Sequence, residues 1–193
     1  MYPIRKRHSR YNSRGKTIKA FNHPCYFSKD LGSESPYLQN QFKVACFTET
    51  PIDQVEILLS KVIGRKFEPE PYGLVFEKKY IRKSGGNQVF YVTKNIAKPL
   101  YHMLYEQYIQ GKEQTPEGIC KLLALVSICE EGNDWHWERE WRIVGNLVFT
   151  LEDIYCGFCP EDEIAYFESK YSPVKFISPT WDYRKILAKG VRK

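Results

Sequence analysis

Apolar residues along this chain cluster in short runs, some of them dense enough for a buried strand and others spaced for a helix. A dense run over residues 41–48 predicts a buried strand. Thr50 and Pro51 then supply an N-cap and a first-turn proline, and apolar residues at helical spacing continue through Val62. We therefore expect a strand that leads directly into a helix.

A hairpin is predicted next. Residues 72–80 and 88–93 are rich in strand-forming residues, and a turn sequence, Ser84-Gly85-Gly86-Asn87, separates them. Since two such runs joined by a glycine-containing turn usually pair with each other, we expect them to form two antiparallel strands.

Two helices follow in the prediction. Pro99 opens one that runs through Gln110, and Thr115-Pro116 opens another whose apolar residues extend to Ile128. The second helix is apolar on nearly all sides, so we expect it to be the most buried helix. Residues 135–144, 147–150 and 153–156 then predict consecutive strands. Because strands and helices do not alternate regularly, the expected fold class is α+β.

Positive charge is concentrated at the start of the chain. The net charge of the chain is +6, and eight lysines and arginines precede the first acidic residue, Asp30. The rest of the chain therefore carries a net charge of 6 − 8 = −2 and is nearly neutral. Residues 1–20 also lack apolar periodicity, so we predict a basic flexible arm over 1–20 and a single α+β domain over 21–193. Such an arm either binds the phosphates of a nucleic acid or is simply a solvated tail.

The cysteines and the apolar runs indicate a cytoplasmic protein that does not contact membranes. No apolar stretch follows the basic start, so we expect the six cysteines to be reduced cytosolic thiols. The longest apolar run covers eleven residues, 119–129, which is too short to cross a bilayer. Cys156 and Cys159 form a CxxC pair, which is either a redox or half-zinc motif or two incidental buried thiols; without a second such motif, no metal site is predicted.

Candidate chemistry is densest around residues 135–144. If this segment is one strand, Glu138, Glu140 and Arg142 share a face, since alternate residues of a strand point the same way. Neighbouring carboxylates raise one pKa while an arginine lowers it, so the two glutamates could take different roles. The alternative is a solvent-exposed ladder of ion pairs. His136, between two tryptophans, is expected to be a packed side chain rather than a general base.

Four segments, taken in order, resemble the AbiGi family of abortive-infection (phage-resistance) proteins over about residues 40–160. They are Ala45-Cys46-Phe47-Thr48-Glu49-Thr50-Pro51, Tyr72-Gly73-Leu74-Val75-Phe76-Glu77-Lys78, Asn87-Gln88-Val89-Phe90-Tyr91-Val92 and Glu138-Arg139-Glu140-Trp141-Arg142-Ile143-Val144. More distantly, the pattern resembles ADP-ribosyltransferases, including DarT-type toxins that modify DNA. This resemblance implies an ADP-ribosyltransferase-like split β-sheet core with flanking helices.

The resemblance also implies a site that uses NAD as a substrate. Glu140 would stabilise the positive charge that develops when the bond between nicotinamide and ribose breaks, and Glu138 would orient or deprotonate the acceptor. Thr48 and Arg142 would line the NAD site, and Tyr72 would stack on nicotinamide. His23 is the candidate for gripping the adenosine-side ribose, but its position before Pro24 in a predicted loop favours an ordinary surface histidine.

Three functions therefore stay open at this level. The first is a component of phage defence or of a toxin–antitoxin pair that transfers ADP-ribose from NAD to a nucleic acid or protein acceptor. The second is a catalytically inactive antitoxin or protein-interaction module of the same fold, which binds a cognate partner. The third is a nucleic-acid binder that depends on the basic arm.

Overall fold

The structure is a computed structural model, and it describes residues 2–3, 15–22, 27, 36–61, 70–110, 117–132 and 134–191. Its helices and strands are mixed in the order expected of an α+β protein, which confirms the predicted class. The chain divides into two compact units. The first unit comprises residues 1–17, 48–83 and 148–193, and the second comprises 18–47 and 84–147.

The described strands are short. In chain order they are β1 Tyr2–Pro3, β2 Lys16–Ile18, β3 Phe21–Asn22, β4 Lys43–Thr48, β5 Gly73–Phe76, β6 Asn87–Gln88, β7 Phe90–Val92, β8 Val126–Ile128, β9 Glu140–Val144, β10 Leu147–Phe149, β11 Ile154–Phe158 and β12 Phe176–Ile177. The α-helices are α1 Pro36–Gln41, α2 Val55–Lys61, α3 Lys78–Lys83, α4 Lys94–Leu104, α5 Glu117–Ala124, α6 Ile164–Lys170 and α7 Tyr183–Ala188. A π-helical segment, Tyr105–Gln110, extends α4.

The first unit is built on a sheet with the strand order β1-β5-β11-β12. Strand β5 lies antiparallel to both β1 and β11, whereas β11 and β12 are parallel. Gly157 of β11 lies opposite Phe176 of β12. A Cβ atom at position 157 would lie 2.2 Å from the Phe176 ring, so the close approach of β11 to this ring needs a glycine. The buried core beside this sheet consists of Val55, Cys156, Phe158, Ile177 and Ile186.

The second unit contains a sheet with the order β3-β4-β9-β6, and a separate parallel pair of β7 and β8. Strands β3 and β4 are antiparallel, as are β6 and β9. Helix α1 lies beside α5. The buried core of the second unit consists of Phe27, Phe42, Val44, Ala97, Leu104, Cys120, Leu123, Ala124 and Val126.

The predicted hairpin is wrong. Residues 73–76 form β5, but 78–83 form the helix α3, and the next two strands pair elsewhere: β6 with β9 and β7 with β8. Strands β6 and β7 have only two and three residues, too few for a local turn to fix their partners, and α3 occupies the end of the segment that would have formed one arm of the hairpin.

Both middle helices also differ from their predictions. Helix α4 begins at Lys94, so Pro99 lies inside it rather than at its start. Helix α5 ends at Ala124, and residues 126–128 form β8, whose pairing with β7 takes up the last apolar residues of the run. Leu122 is 53% exposed, so α5 is not apolar and buried on all sides. The strand predicted over 41–48 and the helix after Pro51 are confirmed as β4 and α2, with a 3₁₀ turn at Ile52–Gln54.

Among the described residues, no helix is long and apolar enough to cross a membrane. Two stretches of the predicted basic arm, Tyr2–Pro3 and Lys16–Ile18, are strands that pair with β5 and β10 respectively. The division into an arm and one domain stays a prediction.

Candidate functional site

Glu140 and Arg142 form a buried ion pair at the start of β9. They share a strand face, as predicted, and both carboxylate oxygens of Glu140 accept a hydrogen bond from Arg142. Its Nε lies 3.0 Å from Oε1, and its Nη2 lies 2.8 Å from Oε2. The side chain of Arg142 is 0% exposed and that of Glu140 is 10% exposed. The pair is therefore not part of a solvent-exposed ladder, which was the alternative prediction.

The guanidinium group of Arg142 also donates hydrogen bonds to the segment that connects helix α5 to strand β8. Nη1 donates to the carbonyl of Ala124 at 2.8 Å and to that of Val126 at 3.4 Å. Nη2 also donates to Ser127 Oγ at 2.9 Å. Because a buried charge is tolerated only when its donors are satisfied, these contacts explain how Arg142 is accommodated in the second unit. Because Arg142 is fixed in this way, its two hydrogen bonds to Glu140 hold the carboxylate in one orientation.

Glu138 does not stand beside Glu140 on a strand face, so that part of the prediction is wrong. Residues 136–138 form a turn of 3₁₀ helix, and Arg139 adopts a left-handed backbone conformation with φ 45° and ψ 49°. Strand β9 starts only at Glu140. A left-handed residue breaks the two-residue alternation of a strand, so Glu138 and Glu140 belong to different local structures.

Tyr91 links this ion pair to the turn that precedes it. Its hydroxyl oxygen accepts a hydrogen bond from the backbone N–H of Glu140 at 3.3 Å. Its ring centroid lies 4.8 Å from that of His136. Burial raises the pKa of Tyr91 to about 12, so the phenol stays protonated at neutral pH. Burial, and then the nearby Glu140 carboxylate, likewise raise the pKa of the Cys46 thiol well above its ordinary value.

A second group of side chains, Cys129, Asp134 and His136, converges in the same unit, and the sequence prediction missed it. Cys129 Sγ lies 3.2 Å from His136 Nδ1 and 3.3 Å from Asp134 Oδ1. His136 Nδ1 lies 2.8 Å from the same Asp134 oxygen. His136 was predicted to be packed, but its side chain is 63% exposed, so that prediction is wrong. The available signal was the spacing Cys-x4-Asp-x-His after an apolar strand.

Backbone groups help to hold these three donors together. The N–H of His136 donates to Asp134 Oδ1 at 2.9 Å, as expected of an aspartate that closes a local turn, and the N–H of Trp135 donates to Cys129 Sγ at 3.2 Å. The backbone and side chain of His136 lower the pKa of Asp134 to about 2. The Asp134 carboxylate is therefore ionised across the whole physiological pH range.

The other predicted site residues occupy different surroundings. Thr48 belongs to the first unit, and its hydroxyl accepts from the N–H of Thr50 at 3.2 Å in a turn at the end of β4. Tyr72 also belongs to the first unit, where its hydroxyl donates to Glu163 Oε1 at 2.8 Å and its ring lies 5.8 Å from that of Phe167. His23 lies outside the described residues. A common NAD site for Thr48, Tyr72 and Glu140 stays a prediction.

The CxxC pair, Cys156 and Cys159, consists of two free, fully buried thiols at the end of β11. Burial raises the pKa of each thiol to about 12. Since the thiolate rather than the thiol attacks disulfides, these surroundings disfavour a redox role. The reading as buried thiols accounts for the pair.

Comparisons with protein-family models, with curated proteins and with solved structures find no match to this chain.

Proposed function

We propose that this chain is a component of phage defence or of a toxin–antitoxin pair, and that its domain resembles ADP-ribosyltransferases and uses NAD to modify a macromolecular acceptor. In this proposal Glu140 is the carboxylate that stabilises the positive charge that develops on the ribose as nicotinamide leaves. Glu138, on the turn before the strand, is the candidate for orienting the acceptor.

The held carboxylate of Glu140 is the observation that carries this proposal. A group that stabilises a developing charge is most effective when it is oriented before the reaction begins, because no reorganisation is then needed. Arg142 supplies this orientation through hydrogen bonds of 3.0 and 2.8 Å to the two carboxylate oxygens.

The burial of the same ion pair favours a second function, in which Glu140 is structural rather than catalytic. Both oxygens of Glu140 bind Arg142, and only a tenth of the glutamate side chain is exposed. A carboxylate in this state acts structurally unless the substrate displaces part of its contacts. The alternative is therefore a catalytically inactive antitoxin or interaction module of the same fold, which binds a cognate partner protein.

Binding of NAD and transfer of ADP-ribose distinguish the transferase from the inactive module. The full-length protein is titrated with NAD by calorimetry and incubated with labelled NAD, together with bacterial lysate or DNA, to measure transfer of ADP-ribose. The proposed transferase binds NAD and labels an acceptor, and Glu140→Gln lowers the labelling rate by about 100-fold or more, as removal of one charge-stabilising group commonly does.

The matched control is Glu131→Gln, which removes an exposed carboxylate from the same unit and is expected to leave labelling unchanged. Circular dichroism at the assay temperature shows whether Glu140→Gln is folded. If folded wild-type protein neither binds NAD nor labels any macromolecule, the transferase proposal is wrong and the inactive module is favoured.

A further inference from the structure

We propose that Cys129, Asp134 and His136 form a binding site for a single Zn²⁺ ion, with a fourth coordination position left open. This site is separate from the NAD chemistry proposed above and does not depend on it. It lies within the second unit, on the segment that joins β8 to the turn before β9.

The geometry of the three donor atoms supports a single central ion. Cys129 Sγ lies 3.3 Å from Asp134 Oδ1 and 3.2 Å from His136 Nδ1, and these last two atoms are 2.8 Å apart. In a tetrahedral zinc site, bonds of about 2.0–2.3 Å separate the donor atoms by about 3.3–3.6 Å. Side-chain movements of a few tenths of an ångström would therefore admit the ion. Asp134 and His136 are exposed, so this movement requires no repacking of the core.

The arrangement does not suit a nucleophilic Cys-His-Asp triad. In a triad, the nucleophile and the carboxylate bind opposite nitrogens of the imidazole, so that a proton passes from one side while the other side is held. Here, both Cys129 Sγ and Asp134 Oδ1 lie on the same nitrogen, His136 Nδ1. Convergence of three donors on one point is the arrangement of a metal site.

The types of ligand point to zinc rather than to magnesium or calcium. Thiolate and imidazole are ligands of zinc and of related transition metals, whereas magnesium and calcium prefer oxygen donors throughout. The backbone N–H of Trp135 donates to the cysteine sulfur, and that of His136 donates to the ligating carboxylate oxygen. Supporting hydrogen bonds of this kind orient metal ligands in known sites.

Three protein ligands leave room for water or a substrate group as the fourth. This is the pattern of catalytic zinc sites, whereas structural sites have four protein ligands. The large exposed fractions of Asp134 and His136, 71% and 63%, place the open position next to solvent. The ligand expected there is water or a small anionic or carbonyl oxygen.

The test uses the full-length protein without an affinity tag, freed of metal by chelation and titrated with Zn²⁺ against a chromogenic chelator. Titration with Co²⁺ follows, because thiolate ligation to Co²⁺ produces charge-transfer absorption in the near ultraviolet. We expect one equivalent of either metal per chain. His136→Ala and Asp134→Asn should each weaken Zn²⁺ binding by at least about tenfold, and Cys129→Ser should abolish the charge-transfer band.

Two controls separate this site from other metal ligands in the chain. Cys159→Ser removes one thiol of the CxxC pair, and His102→Ala removes an exposed histidine of α4; neither should change Zn²⁺ affinity. The side chain of His136 is exposed, so His136→Ala removes little buried surface and should fold. The proposal is overturned if wild-type protein binds no Zn²⁺, or if His136→Ala binds it as tightly as wild type. It is also overturned if Cys159→Ser removes the Co²⁺–thiolate band.

Discussion

Replacing Glu140 with glutamine leaves the buried guanidinium of Arg142 without its counter-charge. Breaking a buried ion pair by removing one partner typically costs about 3–5 kcal/mol, because the remaining charge stays desolvated. Arg142 is fully buried, so this range applies here rather than the much smaller values found for surface pairs. For a chain of this size, such a loss lowers Tm by about 6–20 °C.

The structure narrows this range. Glutamine keeps one carbonyl oxygen in place, so one of the two hydrogen bonds from Arg142 is retained, and the guanidinium still donates to Ala124 and Ser127. We therefore expect Glu140→Gln to fall near the lower end, at about 3 kcal/mol. Glu140→Leu, which keeps no acceptor, should cost more.

A double-mutant cycle isolates the pair itself. Arg142→Met removes the charge but leaves the carboxylate buried, and Glu140→Leu combined with Arg142→Met removes both charges. Because each single change strands the opposite charge, the double variant should be more stable than the sum of the single losses predicts. The expected coupling is about 1–3 kcal/mol, as found for residues in direct contact.

Urea unfolding followed by tryptophan fluorescence measures these free energies. Three of the four tryptophans, Trp135, Trp137 and Trp141, belong to the second unit, which contains the pair, and the fourth, Trp181, belongs to the first, so most of the signal reports on the second unit. The surface-pair control is Glu161→Gln in the first unit, which breaks an ion pair between Glu161 and Lys185, whose side chains are 56% and 50% exposed. This control should leave the unfolding midpoint unchanged. A Glu140→Gln midpoint equal to that of wild type, or an additive cycle, would refute the reasoning.

Three further predictions concern the first unit. Gly157→Ala should destabilise the protein by about 1–3 kcal/mol, because the new Cβ would lie 2.2 Å from the Phe176 ring. Gly118→Ala is its control: it meets no atom within 4 Å and should be neutral or stabilising by up to about 1 kcal/mol in thermal unfolding. Burial alone raises the pKa of Glu168, but the Phe176 N–H and Lys189 outweigh it and lower the pKa. The stability that Glu168 contributes relative to Glu168→Gln should therefore be present at pH 7 and be lost as pH falls below about 4, as measured by urea unfolding at each pH. The CxxC pair should resist maleimide at pH 7 until the protein is unfolded, as mass spectrometry of labelled peptides would record.

Each of these has a clear contrary result. Equal Tm values for Gly157→Ala and Gly118→Ala would mean that β11 and the Phe176 ring of β12 are not tightly packed against each other. A difference between wild type and Glu168→Gln that is the same at pH 7 and at pH 3 would contradict the lowered pKa. Rapid maleimide labelling of the CxxC pair in folded protein would show that these thiols are accessible.

Features that depend on neighbouring residues could be predicted from the sequence alone. Pro51 correctly marked the start of a helical segment, although Pro51 itself is the N-cap of the 3₁₀ turn and no side chain caps it, so the predicted capping role of Thr50 is wrong. The two-residue period of a strand correctly placed Glu140 and Arg142 on one face. The mixed order of helices and strands was enough for the α+β class.

Only the tertiary structure decided which strands pair and which side chains meet. The described strands have two to six residues, too few for local preference to set their partners, and the strands that pair are far apart in the chain. The left-handed conformation of Arg139 likewise separates Glu138 from Glu140, which no alternation pattern reveals. The convergence of Cys129, Asp134 and His136 depends on how the chain turns between β8 and β9. Sequence periodicity therefore determined the strand β4, the helix α2 and the shared face of Glu140 and Arg142, whereas long-range packing decided the strand pairing and the clusters of reactive side chains.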